Sequence, residues 1–96
     1  MTTVLYIYDV DGWALHNIGK LLQNELADDM EVSCVSQAEF QRRPRGADVI
    51  YCAYPGTLPR GVDLGTFCQL LVTTVHDPCE VSYFTDRFSW TDGPFA

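Results

Sequence analysis

The chain is poor in positive charge. Of its 96 residues only six are basic, five arginines and a single lysine, Lys20, against 13 acidic ones. The formal charge is −7 and the sequence pI about 4.4. Nucleic-acid affinity rests largely on counterions displaced by Lys and Arg, so a phosphate-backbone binder is not expected. Long hydrophobic runs are missing too. No apolar stretch approaches the roughly 18 to 20 residues of a membrane span. The first three residues lead straight into a strand-like segment followed by Asp9 and Asp11, which does not read as a secretory signal. No CxxC pair occurs among Cys34, Cys52, Cys68 and Cys79, so zinc-knuckle spacing is absent. Nor is there a GxGxxG, an internal repeat or a low-complexity tract.

What is present is an ordinary globular mixture, 47% apolar and 20% charged. The length fits one domain, and area scaling predicts that about 65% of the extended chain's surface is buried on folding. Cys34 and Cys52 lie in apolar strand-like runs, where a free thiol acts as a small hydrophobe. The even count allows two disulfides, but the composition favours reduced, structural thiols and a cytoplasmic location.

Strand and helix patterns alternate. Residues 4–8 (VLYIY) form a short continuous run of β-formers, as expected of a strand covered on both faces. Asp11-Gly12 breaks it. Trp13, Ile18, Leu21, Leu22 and Leu26 then recur at helical spacing, predicting a helix over residues 14–28. Residues 31–35 (EVSCV) read as a second strand. Ser36 followed by Glu39 is a capping-box signature, predicting a helical turn or two over 37–41. Arg42, Arg43 and Arg45, beside Pro44 and Gly46, form a basic turn that reads as solvated. Residues 48–53 (DVIYCA) are a third buried strand. Residues 54–65 read as loop, with a turn of helix near 64–68, and residues 70–75 (LLVTTV) as a fourth strand ended by Pro78. Residues 79–96 form an aromatic, mostly irregular tail. Its Tyr83, Phe84, Phe88, Trp90 and Phe95 are expected to cover the sheet, or else to dock a second lobe or a second copy.

This alternation implies βαβ units: a single α/β, Rossmann-like half domain over residues 1–96, with a four-stranded parallel sheet of order 3-2-1-4 and flanking helices. Ligands of such sheets bind beyond the carboxyl ends of the strands, where the order reverses. In that order the reversal falls between strands 1 and 4. It would bring residues 9–13 to His76, Asp77 and Pro78. The candidate ligand-binding residues are therefore Asp9, Asp11, Gly12, Trp13, His16, Tyr54, His76 and Asp77. Trp13 is expected as a core or helix-start anchor, since it falls on the apolar face. His16 reads as a helix-face residue, with a ligand role as the sharper option. His76 can serve as base or donor near neutrality, or simply lead into a turn at Asp77-Pro78. Tyr54 follows strand 3 and can shape a pocket. His76, Asp77, Cys79 and Glu80 match no known metal-ligand spacing, and no metal or cofactor is expected.

Two carboxylates at i and i+2 beyond a strand can hold Mg²⁺ or act as nucleophile and acid. Asp9-Val10-Asp11-Gly12 resembles the DxDG start of haloacid dehalogenase phosphatases. The rest of that pattern departs. Trp13 stands where Thr or Val is usual, the helix begins without a flap insertion, Lys20 is the only lysine, and Asp77 has His76 rather than a second acid beside it. Asp9 and Asp11 would also repel a pyrophosphate at the helix N-terminus. A receiver domain is not matched either, because strand 3 ends in Ala53-Tyr54 without a phosphoacceptor aspartate.

The broader resemblance is to the opening of family-4-type glycosyltransferases of GT-B architecture. These often begin with a strand, a D-V-x-G-W-A-like turn and an amphipathic helix. Asp9, Val10, Gly12, Trp13 and Ala14, followed by His16 and Ile18, match that turn. DVIYCAYPG and LLVTTVHDP suit strands 3 and 4 of the N-terminal half. The resemblance implies an acceptor-side lobe with a saccharide as partner. The donor-binding lobe and the fifth and sixth strands have no counterpart in these 96 residues, so sugar transfer by this chain alone is not expected. A non-catalytic interaction or dimerisation module is one alternative, and a haloacid dehalogenase-like Mg²⁺-dependent phosphatase using Asp9 and Asp11 is a further one.

Overall fold

The structure, a computed structural model, describes residues 1–59 and 61–74. Strand β1 (Thr2–Tyr8) leads to helix α1 (Ala14–Glu25), strand β2 (Met30–Ser36) and helix α2 (Gln37–Arg42). Strand β3 (Val49–Cys52) follows, then two 3-10 turns (Pro55–Thr57 and Leu64–Thr66) and strand β4 (Leu70–Thr73). The four strands form one parallel sheet, so the chain is α/β as its pattern predicts. No helix among the described residues is long and apolar enough to cross a membrane. The aromatic tail, residues 79–96, lies outside the described residues.

The strand order is β2-β1-β3-β4 rather than 3-2-1-4. The cause is the face that α2 takes. Successive residues of β1 point to opposite faces. Tyr6 and Tyr8 pack with Leu15 and Leu22 of α1. Leu5 and Ile7 pack instead with Phe40 of α2, which is sealed from solvent together with Ile50, Leu58 and Leu64. Parallel crossovers are right-handed. With α1 on one face, β2 lands on one side of β1. With α2 on the other face, β3 must land on the opposite side of β1. The β3–β4 connection stays on the α2 face, through Leu58, Leu64 and Cys68, and carries β4 one strand further out.

Local chemistry sets the element ends. Ser36 caps α2, its Oγ accepting from Glu39 N–H at 3.2 Å. The Glu39 carboxylate pairs with Arg42 instead of closing the box. Helix α1 stops at Glu25, short of the predicted Asp28, with Leu26 N–H donating to Leu22 O at 3.0 Å. Asp48 accepts from the backbone N–H and the hydroxyl of Thr3, at 2.9 and 3.2 Å, and joins the start of β1 to the approach to β3.

The buried stripe of α1 differs from the expected one. Leu15, Gly19, Leu22 and Leu26, spaced 4, 3 and 4, face the sheet. Trp13 is 63% exposed, Leu21 58% and Ile18 47%. Gly19 decides this. A Cβ there would stand 2.6 Å from Cδ1 of Tyr6, so its lack of a side chain lets the helix settle onto the Tyr6 ring. The Tyr6 hydroxyl then donates to Leu15 O at 2.9 Å. Cys34, Cys52 and Cys68 are free thiols. Burial pushes the Cys52 thiol up to about 12, which suits a structural role rather than a nucleophilic one.

Candidate functional site at the β1–α1 turn

In the observed order the reversal point lies between β1 and β3, because the chain leaves β1 for β2 on one side and returns on the other. β3 separates β1 from β4, so the expected meeting of the β1 and β4 ends gives way to adjacent β1 and β3 ends. His76 and Asp77 lie outside the described residues. The β3 end supplies Ala53, whose N–H donates to Ile7 O at 2.9 Å, and Tyr54, which packs against the cluster of Tyr6, Tyr8 and Ala53. Thr57 is wholly buried, and its hydroxyl donates to Tyr54 O at 2.8 Å. Gln37 Nε2 donates to Gly56 O and Leu58 O at 3.2 and 2.9 Å, tying this loop to the start of α2.

On the β1 side the turn is built residue by residue. Asp9 Oδ1 accepts from Val10 N–H at 2.8 Å. The Tyr8 hydroxyl donates to Asp11 Oδ1. Gly12 has φ +80, a conformation that L side chains rarely adopt, and this lets the chain reverse into α1. Trp13 occupies the N-cap position, and its carbonyl accepts from Asn17 N–H at 3.1 Å. An indole cannot cap the helix. Instead Gly12 N–H donates to Nδ1 of His16 at 2.8 Å, so the third residue of the helix reaches back over the turn. The His16 ring lies flat on Tyr8, with centroids 4.2 Å apart and planes 8° from parallel.

Asp9, Asp11, Gly12, Trp13 and His16 thus share one turn, with Tyr54 across from them. Trp13 is not the expected core anchor. Its ring is offered to solvent because Leu15 and Gly19, not Trp13, sit on the sheet side of the helix. Tyr8 is the residue that the sequence hides. It joins the core, the Asp11 carboxylate and the His16 ring at once. Its only sequence signal is its place at the end of the continuous β1 run, two residues after Tyr6 and so on the same face. Burial and the bond to Asp11 push its phenol well above the ordinary value, so it stays a hydrogen-bond donor at neutral pH.

The turn has acceptors and little positive charge. Asp9 and Asp11 precede the N-cap of α1, whose first turn holds no acid, and Lys20 is the first cation along the helix. No group of three or more His, Cys, Asp or Glu that could hold a metal ion occurs among the described residues. One oxygen of each carboxylate is already engaged, by Val10 N–H and by Tyr8. What remains is a solvent-facing indole, carboxylate oxygens and the free edge of an imidazole. Compared with models of protein families, with curated proteins and with solved structures, the chain gives no match.

Proposed function

We propose that this chain is a saccharide-binding, acceptor-side module of the glycosyltransferase kind, with no complete catalytic apparatus of its own. The observation that carries the reading is Trp13, exposed at the N-cap of α1 beside Asp9 and Asp11. A pyranose presents an apolar C–H face and a rim of hydroxyls. An indole receives the first, and carboxylate oxygens accept from the second. Two acids that pair with no Arg or Lys among the described residues disfavour a bare phosphate and leave a neutral polyhydroxylated ligand favoured. The resemblance of Asp9 to Ala14 to the D-V-x-G-W-A turn points the same way.

Amide spectra of the ¹⁵N-labelled chain, titrated with methyl β-D-glucopyranoside, cellobiose and other neutral glycans, test it. Shifts are expected at residues 9–16 and at Tyr54, and Trp13→Ala removes them. Shifts confined to other parts of the chain overturn the reading. The interaction-module alternative has one observation in its favour, the exposed Trp13, Ile18 and Leu21 on the outer side of α1. Sedimentation over a hundredfold concentration range distinguishes it. Self-association that Leu21→Glu abolishes supports a dimerisation face, and a concentration-independent monomer removes it.

A further inference from the structure

We propose that His16 is the positioning residue of the β1–α1 turn: it is tied to Gly12 across that turn only while its imidazole is neutral, and in that state offers Nε2–H to a ligand oxygen. The ligand half of this inference rests on the saccharide reading; the turn half does not. Nδ1 accepts from Gly12 N–H at 2.8 Å, so it carries no proton, and the ring proton of the neutral imidazole is on Nε2. Among the described residues Nε2 has no partner, while the ring itself is half-buried and fixed against Tyr8. A held donor without an acceptor, beside carboxylates with spare lone pairs, matches a hydroxyl that accepts from Nε2 and donates to Asp11 or Asp9.

Protonation reverses the arrangement. An imidazolium has hydrogens on both nitrogens, so Nδ1–H would face Gly12 N–H, two donors with nothing between them. The tie from Gly12 across the turn is then lost, while Asp11 keeps its bond from Tyr8 and Trp13 its backbone bonds to Val10 and Asn17. The other titratable groups packed here, among the described residues, are Tyr8 and Tyr6 of β1, Cys34 of β2, Tyr51 of β3 and Tyr54 after it, Asp9 and Asp11 in the turn, and Lys20 one turn along α1. Burial raises the Tyr6 and Tyr8 phenols and the Cys34 thiol, so these three remain neutral where an imidazole titrates.

The test uses the full chain and needs no ligand for its first arm. Long-range ¹H–¹⁵N spectra of the imidazoles, assigned by the signals missing from His16→Gln, should show the Nε2–H form above the His16 midpoint. The Gly12 amide should lose its hydrogen-bonded shift and its exchange protection on acidification, with the same midpoint as the ring. Gln at this position can accept from Gly12 N–H and still donate, without titrating, so in His16→Gln the Gly12 amide should not respond. A binding-competent fraction that falls with protonation weakens apparent affinity in proportion. Methyl β-D-glucopyranoside or cellobiose should therefore bind about tenfold more weakly one pH unit below the midpoint, and with no such dependence in His16→Gln. An Nδ1–H tautomer, a Gly12 amide indifferent to His16, or saccharide binding unchanged across the titration overturns the proposal. If neither saccharide moves any amide at any pH, the saccharide reading falls, and the ring and Gly12 signals still decide what His16 does.

Discussion

On the α2 side of the sheet, Leu5, Ile7, Phe40, Ile50, Leu58 and Leu64 are shut off from water. The α1 side is built differently. Its centre is Tyr6, Tyr8, Tyr51 and Cys34, polar at their tips. An apolar groove of about 260 Å³ runs beside the helix there, lined by Val4, Tyr6, Leu22, Leu26, Val49 and Tyr51 among others. The difference teaches where stability and function reside. Aliphatic residues interlock without needing partners, so the α2 face can be packed for cohesion alone. Each tyrosine must find a partner: Tyr6 and Tyr8 find theirs at α1 and its turn, Leu15 O and Asp11, while Tyr51 pairs with the Thr74 hydroxyl just past β4. The α1 face is therefore tied to the site, and the α2 face is not.

The sharpest way to break this contrast is Phe40→Ala. It removes a fully buried ring from the aliphatic layer and should cost about 3–5 kcal/mol in urea unfolding. The turn at Asp9 to His16 should keep its spectral signature until the whole fold is lost. Next comes Gly19→Ala on the other face. The added methyl meets the Tyr6 ring and the Cys34 sulfur at 2.6 and 3.0 Å. Overpacking of this kind costs about 1–3 kcal/mol, offset by up to about 1 kcal/mol of helix propensity. A Tyr6→Leu background should reduce the penalty, because the clash is with the ring.

Alkaline titration comes third. Burial raises the Tyr6 phenol from its ordinary 10 to about 12, and Tyr8 moves in the same direction. Burial likewise raises the Cys52 thiol from 9 to about 12. Groups raised on folding contribute stability that is complete below their unfolded values and is lost as pH climbs through the folded ones. From these groups alone, unfolding free energy should be flat between neutrality and about pH 9 and should decline from there toward pH 12. Tyr8→Phe should lessen the decline and, at neutral pH, cost about 0.5–1.5 kcal/mol for the lost bond to Asp11. The smallest effect belongs to Trp13→Ala, within about 0.5 kcal/mol of the parent in the same unfolding assay. A large loss there would mean that the indole belongs to the core after all.

Much of the fold is written locally. The β1 run, the Ser36 cap and the breaks at Gly12 and Pro55 can be read from a few residues each, because strand formation, capping and turning are decided by near neighbours. The strand order is not local. It turns on whether Phe40 joins Leu5 and Ile7 or Tyr6 and Tyr8, and both sets are apolar enough to receive it. The orientation of α1 was obscured for a related reason. Apolar side chains surround this helix, and its innermost residue, Gly19, has no side chain to advertise burial. At the site, the carboxylates of Asp9 and Asp11 and the indole of Trp13 stand out because the turn follows a strand end. The tie from Gly12 to His16 and the place of Tyr8 do not, since both depend on the left-handed conformation of Gly12 and on how α1 settles.

The cysteines give the aliphatic layer a clock. Cys34 Sγ lies beneath Gly19, at the seam between α1 and the sheet, whereas Cys52 is enclosed on the α2 side. Cys34 is only part-buried, so a thiol reagent can reach it in the folded chain, and Cys52 only when the aliphatic layer opens. The rate at Cys52, measured against that at Cys34, therefore reads the opening of the aliphatic layer without introducing a probe.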